Sequence, residues 1–580
     1  MQNITQAIME EAFKPNRLAR DAFTEWQHEI KKNIYTSDKD FIHTIQFSFQ
    51  QDFAKINAEL EAFGNAVVTK LEPLVNENNL AANLPRLDAY NAIGERVDKV
   101  IHHPTYQEAG EIIYQTGLLA KMAEPGGLLS CLSLLFLSSQ AGEAGHNCPI
   151  ACSAGIIRVL QKIPDFPNKA LYLEKLIAPS FYTNFTGAQF LTEIQGGSDV
   201  GLNAVYAKQD PDKTWRIYGE KWFCSNAGAN LIFITARYHQ DLPGTKGLSL
   251  FLVPAEWKAH KNHYTLRRLK DKIGTRSMAT GEIDFQGAYA LEMGSLDEGF
   301  HLVMDNVLHL SRLFNSVCVL GMARRAYTIA RAYAHHRVAF AHHIIDYPLV
   351  KENLARIKSE NAAMLAAIFA TIKWQDACDK NASADQTTKL LLRLLVNIQK
   401  YLTALWSVQH IHHAIDMLAG NGTIETFSSL PRLLRDCIVC ENWEGTHNVL
   451  RMQVLKDILK YQVDQIYVAF MHQEIEKLDP SSSRVKEITS ALIQFEQEMI
   501  MFKQLNAEQQ SLQIRLIVDR MAILYCALMF LIEARYQEKN QASLSKQHCL
   551  DYFYMLHVNQ TKITYDNHYL ELISHIIAYE

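Results

Sequence analysis

Proton chemistry is best served by one glutamate in the run ENWEGTHN, Glu441 to Asn448, where Glu444 stands between Trp443 and Gly445. A carboxylate pressed against an indole loses hydration, and its proton affinity rises toward the range of a general base. An acidic residue favoured by the dipole at a helix start would look the same locally. Three further stretches offer contacts instead of proton transfer. LTEIQGGSDV, Leu191 to Val200, sets Thr192, Ser198 and Asp199 around Gly196 and Gly197, where a bound group can approach the backbone closely. KWFCSN, Lys221 to Asn226, places Phe223 and Ser225 on one strand face by alternation, an aromatic wall beside a hydroxyl. LAGNGT, Leu418 to Thr423, puts Gly420, Asn421 and Gly422 into a turn after a long helix. Taken singly, a plain turn, a packed sheet face and a helix stop account for each of these three.

Other chemistries find little support. The glycine loop has neither the G-x-G-x-x-G of a Rossmann site nor the GK[ST] of a P-loop, and the β-rich region holds no G-x-S-x-G nucleophile elbow. His335, His336, His342 and His343, and His410, His412 and His413, are neighbours whose side chains diverge on a helix, and no HExxH accompanies them. No metal is expected. Cys437 and Cys440 form a lone CxxC with no second pair, which reads as a buried or incidental pair.

The elements that carry these residues follow from periodicity. Residues 1–180 show apolar spacings of three and four, as at Phe53, Ile56, Leu60 and Phe63, and read as a helical domain. Residues 181–295 carry short β-branched and aromatic runs separated by Gly, Pro, Asp and Asn, which predicts a compact β domain. Residues 296–460 return to long helices, from Gly299 to about His342, Tyr347 to about Asp379 and Ala384 to about Leu418, with another starting near Thr446, and suit a four-helix bundle. Residues 461–580 predict a helical extension of two to four helices. The fold class is mostly α with a central β domain.

At 580 residues, 48% apolar and 21% charged, the chain can bury a large core and is an ordinary globular protein by composition. A net charge of -5 gives no general attraction to nucleic acid or anionic lipid. Ten scattered cysteines in so large a chain point to a reducing compartment. The start has no signal or transit pattern, and the most apolar stretches, Gly127 to Ser139 and Met521 to Ile532, are too short to span a bilayer. A cytoplasmic location without a membrane span is expected.

The order and spacing of the motifs together resemble the acyl-CoA dehydrogenase family of flavoproteins. LTEIQGGSDVG is similar to its flavin loop, KWFCSN to its aromatic-hydroxyl strand, RRLKDKIGTRSMATGEIDFQG to the end of its β domain, and RVAF to its Arg-x-x-Phe flavin contact. AGNG and WEGT follow in the family's order, about twenty residues apart. AGEAGHNCPIACSAGIIRVL and the tail after Lys456 look most like the AidB branch. The resemblance covers about Leu118 to Lys460 well and the two ends loosely. It implies a helical N-terminal domain, a β barrel-like middle domain and a C-terminal four-helix bundle, with FAD between the last two.

By that resemblance Thr192 holds the pyrimidine edge of the flavin and Ser198 lies near the pyrophosphate, in reach of substrate as well. Phe223 and Ser225 flank the ring. Arg337 and Phe340 reach the FAD of a neighbouring subunit, with Gly420, Asn421, Gly422, Thr446 and Asn448 near its phosphates or ribose, which implies a homodimer or homotetramer. Arg312 matches a family arginine near the substrate, and His309 stands where many members have an Asp that contacts the CoA adenine. Glu444 matches the catalytic base, which removes the α-proton of an acyl-CoA thioester while the β-hydride passes to flavin N5, giving a trans-2-enoyl-CoA. Electron-transfer flavoprotein is the implied acceptor. Two alternatives stay open: a DNA-associated flavoprotein of the AidB kind, and an acyl-CoA sensor with little turnover. Nucleic acid is disfavoured by the tail from Lys456 onward, whose 12 basic residues against 16 acidic leave it at -4.

Overall fold

The computed structural model describes residues 2–381, 384–540, 545–559 and 563–578. Among the N-terminal helices, Leu128–Gln140 is apolar on nearly every side and therefore sits inside the molecule. Its first two backbone N–H groups donate to the Asp376 carboxylate at 3.0 and 2.8 Å, and Ser133 turns its hydroxyl back to Leu129 O at 2.8 Å. The neighbouring helix Ala144–Lys162 is capped by buried Glu143, which accepts from Gly145 and His146 backbone N–H groups. No helix among the described residues is long and apolar enough to cross a membrane.

The helical reading of this region misses an antiparallel hairpin, β1 (Arg86–Tyr90) and β2 (Arg96–Ile101). Its apolar residues are only half-buried, so alternation is weak, and its register comes from contact with the middle domain. Asp98 accepts from Leu266 backbone N–H (3.1 Å) and pairs with Lys261 (2.7 Å), tying the hairpin to that domain.

The middle domain contains β3 (Gly187–Phe190), β4 (Tyr206–Gln209), β5 (Trp215–Ser225), β6 (Leu231–Arg237) and β7 (Leu248–Pro254). A small pair follows, β8 (Glu256–Trp257) with β9 (His260–Lys261), and then β10 (Tyr264–Leu269) and β11 (Thr280–Glu292). Strand order is β10-β11-β5-β4-β6-β3, and β7 pairs with both β11 and β6. Strands β11, β5, β4, β6 and β7 therefore close a ring around a core of Ile217, Ile232, Ile234, Phe251 and Ile283.

Beyond it, a helix begins at Gly299, passes through a π-helical stretch at Val303–Leu308 and continues as His309–His336. Helices Pro348–Lys380, Gln386–Leu418, Leu430–Asn442 and His447–Tyr461 pack with it. The predicted run to His342 stops six residues early because the chain folds back at Arg337 into a hairpin of β12 (Val338–Ala339) and β13 (His342–His343). The tail holds more helices than the two to four expected: Val463–Glu476, Ser483–Lys503, Ala507–Asn540, Ser545–Phe553 and Asn567–Ala578. The last three lie against Pro348–Lys380, whose residues 357–369 are enclosed on all sides.

Candidate active site

Glu444 lies in the turn between two helices. The backbone passes through Glu444 at φ 58° and Gly445 at φ 108° before Thr446 opens the helix His447–Tyr461. A left-handed residue with a Cβ costs about 1–2 kcal/mol, so other contacts must hold the turn. Arg312 Nε donates to Glu444 O at 3.0 Å while its Nη1 donates to Asn397 Oδ1 at 2.6 Å. Lys400 Nζ donates to the carbonyls of Glu441 and Gly445. Burial pushes the Glu444 carboxyl up from its ordinary range, and the nearby charges of Arg312 and Lys400 pull against that rise. Cys152, on Ala144–Lys162, lies close enough to feel the Glu444 charge.

Thr192 and Ser198 belong to a loop anchored from below. Glu193 is buried and pairs with fully buried Lys221 (2.7 Å), and it also accepts from the backbone N–H groups of Ala204 and Val205. Removing one member of such a pair costs about 3–5 kcal/mol, so Glu193 is a foundation for the loop. Thr192 O accepts from Trp222 N–H (3.0 Å), which sets the loop against β5. In β5 a register shift against β11 falls between Lys221 and Cys224, leaving an extra residue on β5. Both Lys221 and Cys224 therefore point inward, and Phe223, 48% exposed, and Ser225 point the other way.

Arg337, Phe340, Gly420, Asn421 and Gly422 gather elsewhere. The β12–β13 hairpin turns through Phe340 (φ 51°) and Ala341 (φ 69°), and Phe340 is 92% exposed at its tip. The Arg337 guanidinium lies 5.8 Å from the Phe23 ring, and Phe23 stacks on Tyr333. Asn421 Nδ2 donates to the same Tyr333 hydroxyl at 3.1 Å. Gly422 is demanded by the fold, since a Cβ there would sit 2.3 Å from Ile415 O. Gly420 is not: a Cβ would meet nothing within 4 Å, and its φ is outside the left-handed region. Open space in front of a glycine that its own chain does not require fits a bound ligand passing close by.

The candidate residues thus form three groups. Thr192, Ser198, Phe223 and Ser225 share the loop and strand edge of the barrel. Arg312, Glu444, Thr446 and Asn448 share the bundle turn, where Thr446 and Asn448 are exposed. Arg312 and Arg337 are 25 residues apart along one helix and its cap, about 38 Å at the α-helical rise, so the third group lies far from Glu444 within one chain. Three features were missed from sequence: Lys400, Cys152 and the Glu193–Lys221 pair. A lone lysine inside the apolar run LLVNIQKYLTALW was the available signal for Lys400. His309 Nε2 donates to Gln375 Oε1 (2.8 Å), and burial together with Arg158, Arg312 and Arg393 lowers it to about 4, leaving it neutral. Among the described residues no three His, Cys, Asp or Glu side chains are grouped to hold a metal.

A helix bundle with a buried carboxyl on a left-handed turn, a β barrel with an exposed aromatic-hydroxyl edge, and a preceding helical domain define a class of protein built from three parts. The matching family models are the acyl-CoA dehydrogenase C-terminal domain at residues 297–459, its middle domain at 188–288, and the adaptive response protein AidB N-terminal domain at 27–181. The Escherichia coli (strain K12) protein named "Putative acyl-CoA dehydrogenase AidB" is 30% identical over 74% of this chain and 78% of its own. Acyl-CoA dehydrogenase family member 11 of Caenorhabditis elegans is 29% identical over 70% of this chain and 67% of its own. The crystal structure of that nematode protein, ACDH-11, in complex with C11-CoA superposes with a TM-score of 0.84 at 26% identity, covering 91% of this chain and 92% of the other. The chain belongs to the acyl-CoA dehydrogenase family, in its AidB-like branch.

Proposed function

We propose that this chain catalyses the FAD-dependent α,β-dehydrogenation of a fatty acyl-CoA to the trans-2-enoyl-CoA, with Glu444 as the base. The observation that carries the reading is the carboxylate itself, desolvated on a left-handed turn with Arg312 and Lys400 alongside. Bound FAD supplies the acceptor for the β-hydride. Glu444 takes the α-proton, and its raised proton affinity suits a carboxylate that must accept a proton from carbon. Arg312, tied to Glu444 O and Asn397, lies on the substrate side. Thr192, Ser198, Phe223 and Ser225 bind the cofactor from one chain.

Arg337, Phe340, Gly420, Asn421 and Gly422 complete the cofactor site of a second chain, with Thr446 and Asn448 also at the cofactor. The span of about 38 Å from Arg312 and the bare Phe340 ring both support such sharing, in a homodimer or homotetramer. Reoxidation falls to an electron-transfer flavoprotein, and the enzyme works in the cytoplasm. The test is anaerobic mixing of the purified flavoprotein with butanoyl-, octanoyl- and hexadecanoyl-CoA. At least one should bleach the flavin, and Glu444→Gln should slow bleaching by about 100-fold or more while FAD stays bound. If none bleaches it, and duplex DNA binds at physiological salt instead, the reading is wrong.

A further inference from the structure

Lys400 is a fully enclosed lysine in the middle of Gln386–Leu418, and its ammonium has been given no part in the chemistry. Its Nζ donates to Glu441 O at 2.7 Å and to Gly445 O at 2.9 Å. These two carbonyls bracket Glu444 in the chain. The third carbonyl of the set, Glu444 O, is taken by Arg312 Nε at 3.0 Å. One carbonyl near the end of Leu430–Asn442 and two in the turn after it are thus held by two cations from two different bundle helices. The positive φ of Glu444 and of Gly445 sets the path of the turn that carries the last two of these carbonyls.

A lysine that only closed a helix gap would be shorter or apolar, and a buried ammonium without a carboxylate partner is costly. Among the described residues Lys400 forms no ion pair, and the strongest charge acting on it is Glu444. We propose that Lys400 is a positioning residue for Glu444: it clamps the turn that carries the carboxylate and supplies a fixed positive charge beside it. The inference rests on the reading of Glu444 as the base.

Several charged and titratable groups surround the pair, and His447, on His447–Tyr461, stands 2.6 Å from the Glu441 carboxyl. Arg312 approaches from His309–His336, Glu441 and the Cys437 and Cys440 thiols from Leu430–Asn442, and Cys152 from Ala144–Lys162. Both thiols of Leu430–Asn442 are pushed well up by burial and stay neutral, and Cys152 is raised by its hydrogen bond with Cys148 and by burial. Arg312 and Lys400 are therefore the cations that oppose desolvation of Glu444. Burial lowers Lys400 itself to about 8, with Glu444 acting the other way. Loss of the Lys400 charge removes one of the two opposing influences, so Glu444 holds its proton to higher pH and less of the base is ionised at neutrality.

The experiment compares Lys400→Met, Lys400→Gln and Lys400→Arg as purified flavoproteins, in single-turnover flavin reduction by whichever of butanoyl-, octanoyl- or hexadecanoyl-CoA reduces the parent fastest. Lys400→Met should keep FAD, reduce it at least tenfold more slowly near neutrality, and move the acid limb of the rate to higher pH. Lys400→Gln should share the moved limb, and Lys400→Arg should return it toward the parent. A parental limb in Lys400→Gln with normal folding overturns the charge half of the proposal, and a parental rate in Lys400→Met overturns all of it. Should Lys400→Met fail to fold, the Gln and Arg pair still decides on the limb. Glu444→Gln separates the two readings: if it still reduces the flavin, the base assignment fails whatever the Lys400 variants do. If Glu444→Gln is inactive and the Lys400 variants behave as the parent, only the Lys400 proposal fails.

Discussion

At Glu444 two opposite influences meet on one carboxyl group. Burial raises its proton affinity, and Arg312 and Lys400 restrain the rise. Below the resulting midpoint Glu444 already carries a proton and cannot take another, so flavin reduction should fall as pH falls through it. Stopped-flow single turnovers across a pH series should give an acid limb above the ordinary carboxyl value of 4.5. A limb at or below that value would show that burial does not dominate. The same shift has a cost for folding. A carboxyl whose folded proton affinity exceeds the unfolded one binds its proton more tightly when folded, so its contribution to stability declines as pH rises. Glu444→Gln, neutral and of the same shape, should therefore melt no lower than the parent at neutral pH, which separates lost chemistry from lost structure. The residue type and its neighbours Trp443 and Gly445 were legible in the sequence. Its cations were not, because Arg312 and Lys400 stand 132 and 44 residues earlier and only helix packing brings them to the turn.

Elements differ in how far local pattern could reach. The ends of Pro348–Lys380 and Gln386–Leu418 fall within two residues of expectation, since Pro348 at the first turn and Ala419 and Gly420 beyond the last are local signals. The strand face of Phe223 and Ser225 also follows from alternation. The bulge that lets Lys221 and Cys224 both point inward does not, because a bulge is set by the partner strand. The β1–β2 hairpin escaped for the same reason, its register depending on Asp98 reaching Leu266. The AGNG turn gives the sharpest test at this scale, because its two glycines have different causes. Gly422→Ala places a Cβ against Ile415 O and should lower stability by about 1–3 kcal/mol, seen as a fall in melting temperature with or without FAD. Gly420→Ala meets no protein atom and should melt like the parent as apoprotein, yet retain FAD less well on dilution. If Gly420→Ala keeps FAD as tightly as the parent, that face of the turn is not part of a cofactor site.

Over the whole molecule the tail is structural before it is anything else. Residues 357–369 of Pro348–Lys380 are enclosed even where they are polar, and the tail supplies several partners. Lys358 Nζ donates to Ile576 O at 3.0 Å, the Glu360 carboxylate accepts from His557 Nε2 at 2.9 Å, and the Thr371 and Tyr525 hydroxyls share a bond of 2.7 Å. A chain cut after Tyr461 would expose the outer face of that helix and strand these groups. It should be recovered as aggregate or bind a hydrophobic dye strongly, judged by size exclusion and fluorescence. A monodisperse, FAD-binding fragment would show that the tail is a separate unit. Composition, the sign of the tail's charge, the helix-rich class with its central β region, and the order of the chemical motifs were determined by the sequence alone, since each depends on residue type or on spacings within one element. The closure of the β ring, the packing of the tail on Pro348–Lys380, and the cations at Glu444 were decided only by tertiary structure. Each of these joins residues tens to hundreds of positions apart, and hydrophobic periodicity carries no information about which buried faces will meet.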